Sequence, residues 1–120
     1  MFLYQELKKR AESNSPIKVG LIGAGKFGSM FLSQVPTTTG LEVVAIADLN
    51  PNQAKQNCRN IGWSSAHVNS TVFFEDAALM MEVCDIEVIV EATGDPIAGT
   101  RHALMAIKKG VHIIMVNVEA

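Results

Sequence analysis

The sequence predicts an α/β domain, a doubly wound parallel sheet in three layers, α/β/α. Three observations predict it. Four apolar segments with a β-branched bias, residues 17–22, 41–47, 86–92 and 111–116, read as strands buried on both faces. Segments with apolar residues at helical spacing alternate with them. A glycine-rich turn, Gly23-Ala24-Gly25-Lys26-Phe27-Gly28, joins the first strand to the first of those helices. Right-handed crossovers between such strands give the order 3-2-1-4-5.

Taken in order, residues 1–11 read as a short amphipathic helix. Phe2, Leu3 and Leu7 share a face, and Lys8, Lys9 and Arg10 turn to solvent. Asn14-Ser15-Pro16 breaks it. Residues 1–16 are thus expected to form a helix and linker on the edge of a domain spanning 17–120, or against a partner. After the glycine turn a helix runs over 27–35 and stops at Pro36, and residues 36–40 form a surface turn. The second strand ends on Asp48. Asn50-Pro51-Asn52 opens a helix to about residue 60, with Pro51 suited to its first turn. Residues 62–69 hold Trp63 and His67 among small polar residues and read as loop. Residues 71–74 are a short strand or extended connection, and Asp76 caps a helix over 77–83. The strand at 86–92 ends in Thr93-Gly94-Asp95-Pro96. The helix that follows ends at Lys108-Lys109-Gly110, cations in the last turn and a glycine beyond them. Met30, Met80, Met81, Met105 and Met115 read as core filler.

Composition narrows the class. The 120 residues suffice for one domain with a core, and 48% apolar against 18% charged is globular, not disordered. A net charge of −2 gives no basic surface for nucleic acid or a membrane. No apolar run approaches the roughly 18 residues of a membrane span. The N-terminus places its apolar residues before its basic cluster, the reverse of a secretory signal. Cys58 and Cys84 lie far apart, with no further ligand at metal spacing. They read as reduced thiols of a cytoplasmic protein and give no metal site.

The glycine turn carries the chemistry. It fits G-x-G-x-x-G between a strand and a helix, the context in which the motif binds a dinucleotide. Gly23 permits the tight turn, Gly25 lets a pyrophosphate approach the backbone, and Gly28 lets helix and strand pack closely. The helix N-terminus adds free N–H groups and partial positive charge. Asp48 stands 20 residues beyond Gly28, where such a unit places the carboxylate that bonds a ribose 2′-hydroxyl. Without Asp48, a glycine-rich turn that binds nothing stays open as a reading; Asp48 alone reads as a turn residue or a helix N-cap before Pro51. Together they point to dinucleotide binding. The strand ends at Ala92, Thr93, Gly94 and Asn117 fall on the same edge. The carboxylate favours NAD over NADP, and no arginine follows it within Leu49-Asn50-Pro51-Asn52. Lys26 either screens phosphate charge or is a solvated lysine. His102, spaced with Ala98 and Ala106, reads as a hydrogen-bonded structural histidine, and His112 likewise. Glu91 reads as a structural carboxylate sooner than a group beside the cofactor.

Residues 19–25, 88–94 and 110–114 together resemble the nucleotide-binding domain of homoserine dehydrogenase-like oxidoreductases. The likeness covers the chain from Ile17 onward. Phe27-Gly28-Ser29-Met30-Phe31 and Ala45-Ile46-Ala47-Asp48-Leu49 further resemble a subgroup that carries a C-terminal SAF domain and includes deoxyxylulose-phosphate reductoisomerase-like enzymes. The resemblance implies a nicotinamide cofactor, NAD or NADP, and hydride transfer to a small-molecule substrate held by a second domain. That domain would lie beyond Ala120, so the chain is expected to be a fragment inactive by itself and part of a homo-oligomer when whole. Gly23 to Gly28 carry over as the pyrophosphate loop, Asp48 and Leu49 as the ribose side, and Ala92, Thr93 and Gly94 as the segment flanking the nicotinamide half. Asn117 matches the asparagine of an Ala-Asn-Lys segment, but Val118 stands where the family has lysine, and the role of that lysine does not carry over. The competing classes are a nucleotide-sensing regulatory domain and a methyltransferase. A methyltransferase's first strand ends in an acid before the glycines, and here Leu21-Ile22 precede them.

Overall fold

A computed structural model of the chain describes residues 2–116. The chain runs α1 (Phe2–Glu12), β1 (Ile17–Ile22), α2 (Lys26–Gln34), a 3₁₀ turn (Val35–Thr37), β2 (Leu41–Ala47), α3 (Pro51–Asn60), α4 (Ser65–Ser70), β3 (Val72–Phe74), α5 (Ala77–Val83), β4 (Val88–Glu91), α6 (Pro96–Lys109) and β5 (His112–Met115). The five strands form one sheet in the order β3-β2-β1-β4-β5, every pair parallel. No helix among the described residues is long and apolar enough to cross a membrane.

Two apolar clusters cover the two faces. Val19, Leu21, Leu32, Val43, Ile46 and Trp63 pack with α2, α3 and α4 on one side. Ile22, Ala45, Ala47, Met80, Ile89 and Ala106 pack with α5 and α6 on the other. The alternation slips once, where the register of β1 on β2 shifts between Val19 and Gly20. That bulge sends Val44 and Ala45 to the same face. Asparagine and aspartate side chains start three of the helices: Asn50 accepts from the Gln53 N–H, Asp76, as expected, from Ala78, and Asp95 from Ile97 and Ala98.

Helix α1 seals the N-terminal edge of the sheet. Gly40 lies so close that a Cβ on it would meet the carbonyl carbon of Leu7 at 2.7 Å. The Arg10 guanidinium donates to both Glu87 oxygens at 2.8 and 3.1 Å, and to the carbonyls of Ser15 and Pro16.

Several expectations need correcting. Residues 65–70 are a helix, not loop. Ser64 caps it by accepting from the His67 N–H. Trp63 is buried beside it, donates Nε1–H to the Leu32 carbonyl at 2.9 Å and stacks on the His67 ring at 3.6 Å. Pro36 sits inside a 3₁₀ turn that prolongs α2. Strand β4 is shorter than its apolar run, since Ile86 packs in the core ahead of the ladder. His112 is exposed because β5 is the sheet's edge strand. Met30 and Met115 are exposed as well, while Met80 and Met81 are buried and Met105 packs, partly buried, against the same cluster.

Candidate functional site

The strands end at one level. The Gly23 N–H donates to the Ala47 carbonyl at 2.8 Å, Ala92 to Ile22 at 2.8 Å, Asp48 to Phe74 at 2.9 Å and Val116 to Glu91 at 3.0 Å. Beyond this edge opens a cleft of about 760 Å³, at the point where the chain order reverses between β1 and β4.

Each glycine of the turn has a distinct environment. Gly23 has φ +94°, and a Cβ there would meet the backbone of Ala92 at 2.8 Å. A Cβ on Gly28 would lie 3.1 Å from the carbonyl carbon of Gly23, and closer still to its oxygen. These two let α2 press against the ends of β1 and β4. Gly25 differs: a Cβ there would meet nothing within 4 Å and would stand in the cleft. It is also the N-cap of α2, with no side-chain cap. The first N–H groups of α2 are therefore left for an anion or water.

Asp48 faces this loop across the end of β2. Its Oδ2 accepts from the Ala24 N–H at 2.8 Å and its Oδ1 from the Asn50 N–H at 2.9 Å. A carboxylate has about four acceptor positions, so room remains for the two hydroxyls of a ribose. The Ala24 carbonyl is held from the other side by Asn57 Nδ2 at 3.0 Å and Ser29 Oγ at 3.2 Å. The Ala24 peptide is thus fixed at both ends. Leu49, 89% exposed, and Phe27, 45% exposed, give the cleft apolar surface.

At the β4 end a buried carboxylate organises the wall. Glu91 is fully buried. Its Oε1 accepts from the Thr93 N–H at 2.9 Å and the Thr93 hydroxyl at 2.6 Å, and its Oε2 pairs with His102 Nδ1 from α6. Thr93 Oγ1 in turn accepts from the Asp95 N–H at 3.2 Å. The segment 93–95 is therefore shaped by Glu91, while His102, Arg101 and Thr93 line the cleft.

Of the residues singled out from sequence, Gly23, Gly25, Lys26, Phe27, Asp48, Leu49, Ala92, Thr93 and Gly94 line one cleft. Lys26 is exposed there and makes no ion pair among the described residues. Ala24 and Gly28 are buried beneath the wall and shape it instead of facing it. Asn117 lies outside the described residues. The sequence reading missed the link between Glu91 and His102, and the cleft positions of Arg101, Glu75 and Asp76. One signal was present: a carboxylate closing a wholly apolar strand needs donors, and the next helix carries a histidine on its inward stripe.

Fold and cleft together define a nucleotide-binding domain of the doubly wound class. Residues 17–115 match the GFO/IDH/MocA oxidoreductase family, NAD-binding Rossmann fold, and the chain belongs to that family. Among solved structures it is similar to myo-inositol dehydrogenase from Lactobacillus casei in complex with NAD(H) and myo-inositol. The identity is 26% and the TM-score 0.68, over 83% of this chain and 28% of that one. A dehydrogenase from Chromobacterium violaceum is 24% identical with TM-score 0.69, over 84% of this chain and 28% of the other. Scyllo-inositol dehydrogenase from Lactobacillus casei, solved with NAD(H) and scyllo-inositol, is 19% identical with TM-score 0.69, over 84% and 28%. The last two establish the fold alone. The chain spans 28% of the length of these structures. No curated protein sequence matches it significantly.

Proposed function

We propose that this chain is the cofactor-holding part of a dehydrogenase, binding NAD(H) in preference to NADP(H) across the C-terminal edge of its sheet. The observation that carries the reading is the Asp48 carboxylate turned onto the glycine loop, 2.8 Å from the Ala24 N–H, beside a Gly25 whose missing Cβ leaves the cleft open. In this reading the pyrophosphate lies against the first turn of α2, where Lys26 adds positive charge. Asp48 accepts from the adenosine ribose hydroxyls and repels a 2′-phosphate. Leu49 and Phe27 cover apolar surface of the ligand, and Thr93 and Gly94 border its nicotinamide half. When bound, the nicotinamide ring supplies a hydride donor or acceptor.

The substrate, a small molecule, is then held by a second domain, and the whole protein is a homo-oligomer. We further propose that the chain resembles homoserine dehydrogenase-like enzymes that carry a SAF domain. The support is residues 88–94, 110–114, 27–31 and 45–49; none of the structures named above bears either name.

Calorimetric titration with NADH, NADPH, ADP and S-adenosylmethionine tests the cofactor assignment. NADH is expected to bind more tightly than NADPH, and S-adenosylmethionine not at all. Binding of S-adenosylmethionine without NADH would overturn the reading.

A further inference from the structure

Glu91 and His102 form a cluster that pyrophosphate and adenosine binding do not use. Glu91 is fully buried at the end of β4, and a buried carboxylate is retained only with good donors. It has three, two from Thr93 and one from His102. As a carboxylate it offers only acceptors, so the bond to Nδ1 places a hydrogen on that nitrogen. Nε2 lies across the ring. Nε2 has no hydrogen-bond partner among the described residues, and the His102 side chain, 13% exposed, lines the cleft. A carboxylate that fixes the orientation of a ring facing a cavity prepares that ring to meet a ligand.

The strand order says which part of a ligand it meets. With the adenosine ribose at Asp48 on β2 and the pyrophosphate at the end of β1, the second nucleoside lies over β4 and β5. His102 and Thr93 stand on that side. We infer that His102 Nε2 makes a hydrogen bond with the nicotinamide nucleoside half of the dinucleotide, with Glu91 acting as a positioning residue that holds the ring. The inference rests on the cofactor assignment above and adds a side-chain contact, from His102, to the half of the cleft bordered by Thr93 and Gly94.

The test compares NAD⁺ with ADP, which lacks the nicotinamide nucleoside. The chain with ¹⁵N-labelled histidine is titrated with each. The Nε2 resonance of His102 is expected to move with NAD⁺ and to stay in place with ADP. His102→Gln and Glu91→Gln are expected to weaken NAD⁺ about five-fold, the size of one lost hydrogen bond, and to leave ADP within about two-fold. Retained ADP binding certifies the fold of each variant, and the wild-type resonance serves where a variant does not fold. If ADP and NAD⁺ both bind while the resonance and both variant affinities stay unchanged, the inference falls and the cofactor assignment stands. If neither binds, both fall.

Discussion

Gly25 and Gly28 lie three residues apart, and alanine at each is expected to damage a different property. At Gly28 a Cβ would sit 3.1 Å from the Gly23 carbonyl carbon and closer to its oxygen, well inside contact distance. Gly23 cannot yield. Its N–H is bonded to the Ala47 carbonyl at 2.8 Å, and the Ala92 backbone stands so close that a Cβ on Gly23 would meet it at 2.8 Å. Helix α2 must retreat instead and loosen Leu32, which is fully buried. Overpacking against backbone costs about 3 kcal/mol, offset by about 1 kcal/mol of better helix propensity. A net loss of about 2 kcal/mol lowers Tm by roughly 8 °C for a chain of this size. At Gly25 the added methyl has open space and φ is −80°, so Tm should stay within about 2 °C. That methyl stands where the pyrophosphate must approach, and NADH affinity should fall at least about ten-fold. Thermal unfolding followed by circular dichroism, with an NADH fluorescence titration, reads both effects. An unchanged Tm for Gly28→Ala, or unchanged NADH affinity for Gly25→Ala, would refute the division of roles.

Three further outcomes are expected. Asp48→Asn keeps an acceptor for the Ala24 N–H, now at 2.8 Å, but removes the charge; NADH should weaken about ten-fold while NADPH is unchanged or tighter, and equal losses would separate Asp48 from the ribose. Burial pushes the Cys58 thiol up to about 11 from 9.0, so its stabilising effect is full below pH 9 and fades as pH rises toward 11. A thiol reagent at pH 8 should label Cys84 well before Cys58 in the native protein, and early Cys58 labelling would contradict its burial. The Arg10 guanidinium holds the Glu87 carboxyl below its usual 4.5, an effect present above that pH and lost as pH falls through the lowered value. Both groups are over a third exposed, so Arg10→Ala should cost at most about 1 kcal/mol from this pair near pH 7 and less at pH 3; an equal cost at both would assign the loss to the bonds from Arg10 to the Ser15 and Pro16 carbonyls.

The sheet was legible because its three central strands, β1, β2 and β4, are largely buried on both faces and therefore mostly apolar. Asn50-Pro51 and the Asp76 cap made the starts of α3 and α5 equally plain. The glycine spacing and Asp48 brought one edge of the cleft into view because backbone geometry alone demands those residues. Helix α4 was not legible: Ser-Ala-His-Val-Asn-Ser has too few apolar residues for a periodic signal, and its order comes from Trp63, anchored on Leu32 from a distant helix. Met115 and His112 were misread for a related reason. Whether an apolar or half-polar residue is covered depends on what packs over it, and nothing among the described residues covers the outer side of β5. The pairing of Glu91 with His102 joins two elements across 11 residues, and only packing of α6 on β4 brings it about.

A crystal structure of the chain with NAD⁺ tests the central claim most directly. The account predicts the pyrophosphate on the N–H groups that open α2 and the adenosine ribose hydroxyls on the Asp48 carboxylate. A dinucleotide bound away from Gly25, or one whose ribose makes no contact with Asp48, would contradict it.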